Sequence, residues 1–199
     1  MTSKAIGSLL ILGTILTMGV WMAFDLGTDS MAPADKLNVL IANKTQVQIV
    51  SLVTTLGFVC LIIGLHYLSR NLSNHILTEI GGLLLIALVP LLVALNMSDL
   101  AALEAEKEFS NGADILTAAS AFEYGFIALM AGVFLMGIGL AIERKIANGI
   151  VGALLSITSA IAIVSFSGIS AGPLDFIGWL GTWALFLVTG ILVFMQKES

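Results

Sequence analysis

Charged side chains are scarce in this sequence, and basic ones especially so. Lys, Arg, Asp and Glu together make up 11% of the 199 residues, whereas soluble domains carry about 25%. Hydrophobic residues make up 58%, and the mean hydropathy is +1.07. This balance excludes a soluble globular domain and predicts an integral membrane protein. With eight basic residues and a net charge of −5, the chain also lacks the basic patches that binding of nucleic acid requires.

Cysteine and histidine are equally rare. The single cysteine, Cys60, excludes an intrachain disulfide. Metal and haem sites need several ligands at defined spacing, and the two histidines, His66 and His75, belong to no such motif. We therefore expect no metal and no cofactor. The histidines, together with Tyr67 and Arg70, are predicted to form a polar belt at one membrane surface.

Six hydrophobic stretches fill most of the chain. Each is near the ~20 residues that a helix needs to cross a hydrocarbon layer of about 30 Å. They cover residues 5–24, 47–68, 78–97, 119–142, 146–168 and 175–195. The first is longer than the apolar core of a cleaved signal peptide, which has about 7–15 residues, so we expect it to be retained. The sequence thus predicts one integral membrane domain over residues 1–199, an all-α bundle of six transmembrane helices.

Two of the loops carry shorter helical patterns. The stretch 33–44 begins with a proline suited to a first helical turn and has apolar residues at helical spacing. We expect a short amphipathic helix there, lying at the surface in the first loop. In the third loop, Asp99 is predicted to cap a second short amphipathic helix with Leu100 and Leu103 on one side.

The fifth span carries small residues at helical spacing. They are Gly149, Gly152, Ala153, Ser156, Ser159 and Ala160. This spacing places them on one face of the helix. Faces of small residues allow transmembrane helices to approach closely, so we predict that this face packs against neighbouring spans. We also expect the fifth span to be the central helix of the bundle.

Two positions within the spans are candidates for a ligand or proton site. Pro90, in the middle of the third span, removes a backbone donor and is predicted to kink the helix. Such kinks sometimes mark binding sites and more often only shape the bundle. Glu123 is an ionisable residue within the fourth span, and such residues suggest function. Counting back from Glu143 places Glu123 at the membrane interface, so the sequence favours a wet interfacial carboxylate, with a proton or ligand site as the alternative.

Basic residues predict the orientation. Five of them, Lys4, Arg70, Arg144, Lys145 and Lys197, lie on the side of the two termini, and three, Lys36, Lys44 and Lys107, lie on the other. The positive-inside rule therefore favours cytoplasmic termini in a prokaryotic inner membrane. Most acidic residues fall in the outer loops, which predicts an outer face that attracts cations. We expect Trp21, Trp179 and Trp183 at the outer interface, where indole rings concentrate.

Three stretches resemble a known family. They are MAPADKLNVLIAN in the first loop, FEYGFIALMAGVFLMGIGLAIERKIANGIVGALLSITSAIA over the fourth and fifth spans, and GWLGTWALFLVTGILV in the sixth. Together they resemble a family of small prokaryotic integral membrane proteins of unknown function, with a Gly-rich fourth helix, a basic turn and a Gly-containing fifth helix. The resemblance covers most of the chain and implies a six-helix fold, but no activity.

Function follows from what the spans contain. Because no charged residue lies deep in them, we expect a non-catalytic membrane component, an accessory subunit or interaction partner in the lipid bilayer, or a homo-oligomer. The alternative is a small transporter or a binder of a lipophilic or small cationic ligand, using Pro90 and Glu123. No nucleophile and base stand together in the sequence, so we do not expect an enzyme.

Overall fold

The structure, a computed structural model, describes residues 1–28, 30–72, 74–169 and 172–196, without the side chains of Leu72 and Glu123. Six helical segments of this part of the chain are long and apolar enough to cross a membrane, and none of it forms a strand. The segments are Ser3–Phe24, Lys44–Asn71, Ile76–Phe109, Gly112–Ile142, Ala147–Phe166 and Pro173–Phe194. The predicted all-α fold with six membrane-spanning helices is confirmed.

The segments divide into helices that we number in chain order. They are α1 (Ser3–Thr14), α2 (Val20–Phe24), α3 (Pro33–Ala42), α4 (Lys44–Leu72), α5 (Ile76–Ala87), α6 (Val89–Phe109), α7 (Gly112–Ser120), α8 (Gly125–Ile142), α9 (Ile150–Phe166) and α10 (Pro173–Phe194). A π-helix at Ile15–Gly19 joins α1 to α2, and 3₁₀ turns at Ala121–Tyr124 and Ala147–Gly149 precede α8 and α9.

The six spans form a closed ring in chain order. Each span packs against the spans before and after it, and α10 of the sixth packs against α1 of the first. The fifth span, α9, packs mainly on α8 and α10, so it is one member of the ring and not the central helix that we expected. Composition alone favours no span for the centre, because all six are similarly apolar.

Glycines set the distances between the spans. A Cβ atom built on Gly7 of α1 would lie 2.6 Å from the backbone nitrogen of Phe194 on α10. One built on Gly81 of α5 would lie 2.5 Å from the carbonyl oxygen of Gly132 on α8. Backbone atoms cannot change rotamer to avoid a clash as side chains can, so these pairs of helices can lie this close only with glycine at these positions. Close backbone packing of this kind is the main source of helix association in lipid.

The small residues of the fifth span divide between two environments. Gly152 and Ser156 are buried against Gly137 of α8. The single O–H of Ser156 is shared between the Gly152 carbonyl of its own helix, at 3.0 Å, and the Phe134 carbonyl of α8, at 3.3 Å. Ser159 and Gly149 are also buried, and Ala160 is partly buried. Ala153, which the spacing placed on the same face, is exposed instead. Fewer small residues therefore take part in the close contact with α8 than the predicted face contains.

The third span is broken at Leu88, between α5 and α6. Pro90 lies in the first turn of α6. Backbone N–H groups in a first turn make no hydrogen bond within the helix, so proline, which has no N–H, is tolerated there. Helix α6 then continues to Phe109. The prediction of a separate helix capped by Asp99 is therefore wrong. Asp99 lies within α6, because no Gly or Pro interrupts the helix after Pro90.

A second hydrophobic cluster lies at one end of the ring. We call this part the cap: α3, the first turns of α4, the last turns of α6, and α7. Its buried residues are Leu37, Leu40, Val47, Ala102, Leu103 and Leu116. The short helix predicted in the first loop is α3, and its partner from the third loop is α7. Two loops that are too short to bury a core separately therefore bury one together.

Aromatic side chains fill the ring interior on the side nearer the cap. They are Phe58, Phe126, Phe166, Trp179, Trp183 and Phe186, with contacting ring centroids 5.4–6.4 Å apart. Trp183 is only 2% exposed, so the prediction that it lies at the interface is wrong. Farther from the cap, Met136 and Leu140 are fully buried. Side chains thus occupy the centre of the described bundle.

Candidate functional site

A cavity of ≈ 80 Å³ opens at the cap end, between the first span, α3, α4 and α6. It is lined by Trp21, Phe24, Asp25, Leu26, Thr28, Leu40, Gln46, Val47, Val50, Ser51 and Asp99. Five of these residues carry polar side chains that can accept hydrogen bonds, and two of the five are carboxylates. We call it the cap cavity. Sequence analysis singled out Asp99 as a helix cap and Trp21 as an interfacial residue, and it predicted no cavity that joins them.

The turn after α2 brings its polar residues to the cap cavity. The Asp25 carboxylate accepts a hydrogen bond of 3.0 Å from the Gly27 N–H, and Gly27 adopts a positive φ of 63° that suits glycine. The chain thereby folds back, and Thr28 becomes buried. The Gln46 amide on α4 donates a hydrogen bond of 2.8 Å to the Phe24 carbonyl, which ties this turn to the second span.

Ion pairs hold the other walls together. The Lys36 ammonium on α3 lies 3.0 Å from the Asp99 carboxylate on α6, and both side chains are partly buried. The Lys44 ammonium on α4 lies 3.1 Å from Glu104, farther along α6 in the cap. The hydrogen bond and positive charge of Lys44 lower the pKa of Glu104 below its ordinary value. These pairs fix α3 and α4 against α6, and they place the Asp99 carboxylate at the cavity.

Two largely buried residues contribute hydroxyls to the lining of the cap cavity. Thr28 and Ser51 are each 6% exposed. Neither side-chain hydroxyl has a hydrogen-bond partner among the described residues. In contrast, Thr54 on the same helix donates to the carbonyl of Val50, four residues back, at 2.7 Å. Because these two oxygen atoms are not among the fully buried ones, a water or a ligand in the cavity can reach them and supply a hydrogen bond.

Two further unpartnered hydroxyls lie one helical turn deeper. Thr17, four residues before Trp21, and Thr55, four residues after Ser51, are nine-tenths buried, and neither hydroxyl has a partner. Thr17 belongs to the π-helix of the first span, a feature that often occurs at functional sites. Polar atoms in need of partners therefore continue from the cap cavity into the bundle.

The candidate ligand or proton residues lie elsewhere. Glu123 belongs to the 3₁₀ turn before α8, and its side chain lies outside the described residues. That turn borders an open groove of ≈ 450 Å³ lined by Ser120, Ala121, Tyr124 and Phe166. Pro90 is exposed and lines neither the groove nor the cap cavity. Neither of these two cavities therefore joins Pro90 to this turn.

The histidines at the opposite end of the ring serve helix packing. The Nδ1 atom of His66 on α4 lies 3.2 Å from the Gly82 carbonyl on α5. His75 caps α5, where its Nδ1 accepts a hydrogen bond of 3.3 Å from the Leu77 N–H. No group of three or more His, Cys, Asp or Glu residues suited to a metal occurs in the described ranges.

Fold and composition together define a class: an all-α, multi-pass membrane protein whose six spans form a ring with a small cap at one end. Comparison with known proteins adds no narrower assignment, because no family model, curated protein or solved structure matches the chain. Membership of the prokaryotic family that the sequence resembles stays a prediction. Any statement about function must therefore come from the cap cavity and the surfaces themselves.

Proposed function

We propose that the protein is a non-catalytic membrane protein that binds a small cation at the cap cavity. The observation that carries this proposal is the cavity lining, which combines two carboxylates with the hydroxyls of Thr28 and Ser51, two largely buried residues whose hydroxyls bond to no described residue. The Lys36 ammonium offsets the charge of Asp99, whereas Asp25 has no basic partner within ion-pair distance among the described residues. One net negative charge remains at the cavity, and it favours a monovalent cation.

The proposed orientation brings this cavity to the outer face. Short basic segments near the termini favour cytoplasmic termini in a prokaryotic cell membrane, and α2, α3 and α7 then lie outside. The cap carries acidic residues beyond those at the cavity, among them Asp35, Glu108 and Asp114. Their field would concentrate cations near the cavity mouth.

Binding fits the interior better than conduction does. Within the described bundle, buried side chains such as Met130, Met136 and Leu140 occupy the space between the spans. The unpartnered hydroxyls of Thr17 and Thr55 reach only one turn below the cap cavity. We therefore propose a cation-binding component, not an open channel.

A binding titration tests this proposal. The purified protein in lipid nanodiscs is titrated calorimetrically with chlorides of Na⁺, K⁺, Mg²⁺ and ethylammonium at constant ionic strength. Asp25→Asn should weaken binding of the preferred cation about tenfold or more, because it removes a charge-assisted contact. Asp35→Asn, the same change on α3 outside the cavity lining, should weaken binding by less than about twofold, because its charge acts only at a distance through solvent. Absence of cation binding, or equal effects of the two variants, would contradict the proposal.

The apolar surface of the third span favours a second candidate, the accessory subunit. Ile76, Ile80 and Leu83 of α5 are exposed along one face of the helix. In the most apolar window of this span, 28% of residues are buried, against 39–50% in the other spans. A partner helix or a second copy could cover this face. Native gels of solubilised membranes and cross-linking from Leu83→Cys test this candidate, and an exclusively monomeric species would contradict it.

A further inference from the structure

The lining of the cap cavity points to a particular kind of cation. Resting on the proposed cation site, we infer that its ligand is a small organic ammonium ion that carries N–H bonds. Inorganic cations and fully methylated ammonium ions are the two alternatives. The argument uses the apolar walls, the hydroxyls and the size of the cavity.

Apolar and aromatic side chains form more than half of the lining. They are Trp21, Phe24, Leu26, Leu40, Val47 and Val50, six of the eleven lining residues. Inorganic cations such as Mg²⁺ and Ca²⁺ require oxygen ligands on all sides, and this lining supplies them on only part of its surface. An alkylammonium ion has an apolar part that matches the remaining walls. The indole of Trp21 and the ring of Phe24 also offer faces for a cation–π contact.

The polar part of the lining matches N–H donors. A primary ammonium group has three donors and no acceptor. The hydroxyls of Thr28 and Ser51 and the Asp25 carboxylate can all accept hydrogen bonds from such a group. A fully methylated ammonium ion has no N–H bond, so it would leave both hydroxyls without partners.

The volume limits the ligand to a few atoms. Each water-sized group needs about 10–15 Å³ of such a volume, so a cavity of ≈ 80 Å³ has room for roughly five to eight of them. Ethylammonium and ethanolammonium fit this limit, and cations as large as a polyamine exceed it. The opening to the surface would let a slightly longer substituent extend outward.

The experiment compares cations on the full chain in lipid nanodiscs, by calorimetry at constant ionic strength. Ethylammonium should bind at least about tenfold more tightly than Na⁺, K⁺ or tetramethylammonium, because only ethylammonium satisfies the hydroxyls and the apolar walls together. Ser51→Ala should weaken ethylammonium binding about five- to tenfold. Trp21→Leu should weaken it about two- to fivefold, whereas Trp21→Phe should retain most of the affinity.

Control variants separate a specific effect from misfolding. Phe109→Leu replaces an exposed aromatic residue of α6 outside the cavity lining, and it should leave the affinity unchanged. Thermal unfolding of each variant shows whether the fold is retained, and Ser51→Thr, which keeps a hydroxyl, should keep most of the affinity that Ser51→Ala loses.

The outcomes distinguish this inference from the function on which it rests. Binding of inorganic cations that is lost in Asp25→Asn, with no preference for ethylammonium, would overturn the ammonium assignment and support the cation site. Equal binding of tetramethylammonium would overturn the role of the N–H donors. No cation binding at all, or binding that is insensitive to Asp25→Asn, would overturn both proposals.

Discussion

The contact between α8 and α9 gives the sharpest prediction about stability. A Cβ atom added at Gly152 would lie 2.6 Å from the Gly137 carbonyl oxygen and 2.7 Å from the Ala141 backbone nitrogen. Ordinary contacts are about 3.5–4.0 Å, so in Gly152→Ala the two helices must separate by roughly 1 Å. Overpacking of this kind costs about 1–3 kcal/mol, and the better helix propensity of alanine returns about 0.5–1 kcal/mol. We expect a net loss of up to about 2.5 kcal/mol.

Gly19→Ala is the matched control for this change. The nearest atom to a Cβ at Gly19 is a methyl carbon of Ile15 at 3.7 Å, an ordinary contact. The same substitution should therefore leave the protein equally stable or raise its stability by about 0.5–1 kcal/mol. Equilibrium unfolding in mixed detergent micelles, followed by tryptophan fluorescence, measures both variants. If Gly152→Ala proves as stable as Gly19→Ala, the close packing of α8 on α9 is refuted.

Three further predictions concern other contacts. Ser156→Ala removes the hydroxyl that is shared between the Gly152 carbonyl of α9 and the Phe134 carbonyl of α8, and unfolding should show a loss of about 0.5–1.5 kcal/mol; an unchanged stability would mean that this hydroxyl contributes nothing. Pro90→Ala should change stability by less than about 1 kcal/mol, because a proline in a first turn interrupts no helical hydrogen bond, whereas a large loss would show that the break at Leu88 depends on it. The Lys44 partner lowers the pKa of Glu104, so their pairing stabilises the cap above the ordinary carboxyl pKa and is lost as the pH falls through the lowered value. Lys44→Met should therefore flatten this part of the pH–stability curve, and an unaltered curve would contradict the pairing.

The existence of the spans could be predicted because it depends on length and hydropathy alone. A run of about 20 apolar residues identifies a membrane helix without reference to any other part of the chain. The order of the spans around the ring depends on contacts between distant segments. Gly13, for example, packs on the backbone of Leu61, and no local pattern in either helix predicts that the two are neighbours.

Trp183 shows how a general rule failed. Indole rings favour the interface, but this rule concerns side chains that face lipid. Trp183 lies ten residues into α10, which begins at Pro173, and ten residues of helix correspond to about 15 Å. Its side chain faces the ring interior, where it packs edge-on against Phe58 and Phe186. Depth along the helix, counted from its first residue, would have corrected the prediction.

The cap cavity escaped prediction because its lining comes from four separate segments. Only one signal was present locally. Ser51 and Thr55 stand four residues apart, which places both on one face of α4. The two carboxylates, Asp25 and Asp99, lie near this face only because of the turn after α2 and because α6 continues without a break. The sequence predicts Asp99 as a helix cap, but Asp99 lies within α6, where it pairs with Lys36 and lines the cap cavity.

The most direct test of the cation site is an experimental structure determined in the presence of ethylammonium. We expect density for the ligand in the cap cavity, with its nitrogen within hydrogen-bond distance of the Asp25 carboxylate and of the hydroxyls of Thr28 and Ser51. A structure in which the Ser51 hydroxyl instead donates to the Val47 carbonyl, with no ligand in the cavity, would contradict the account.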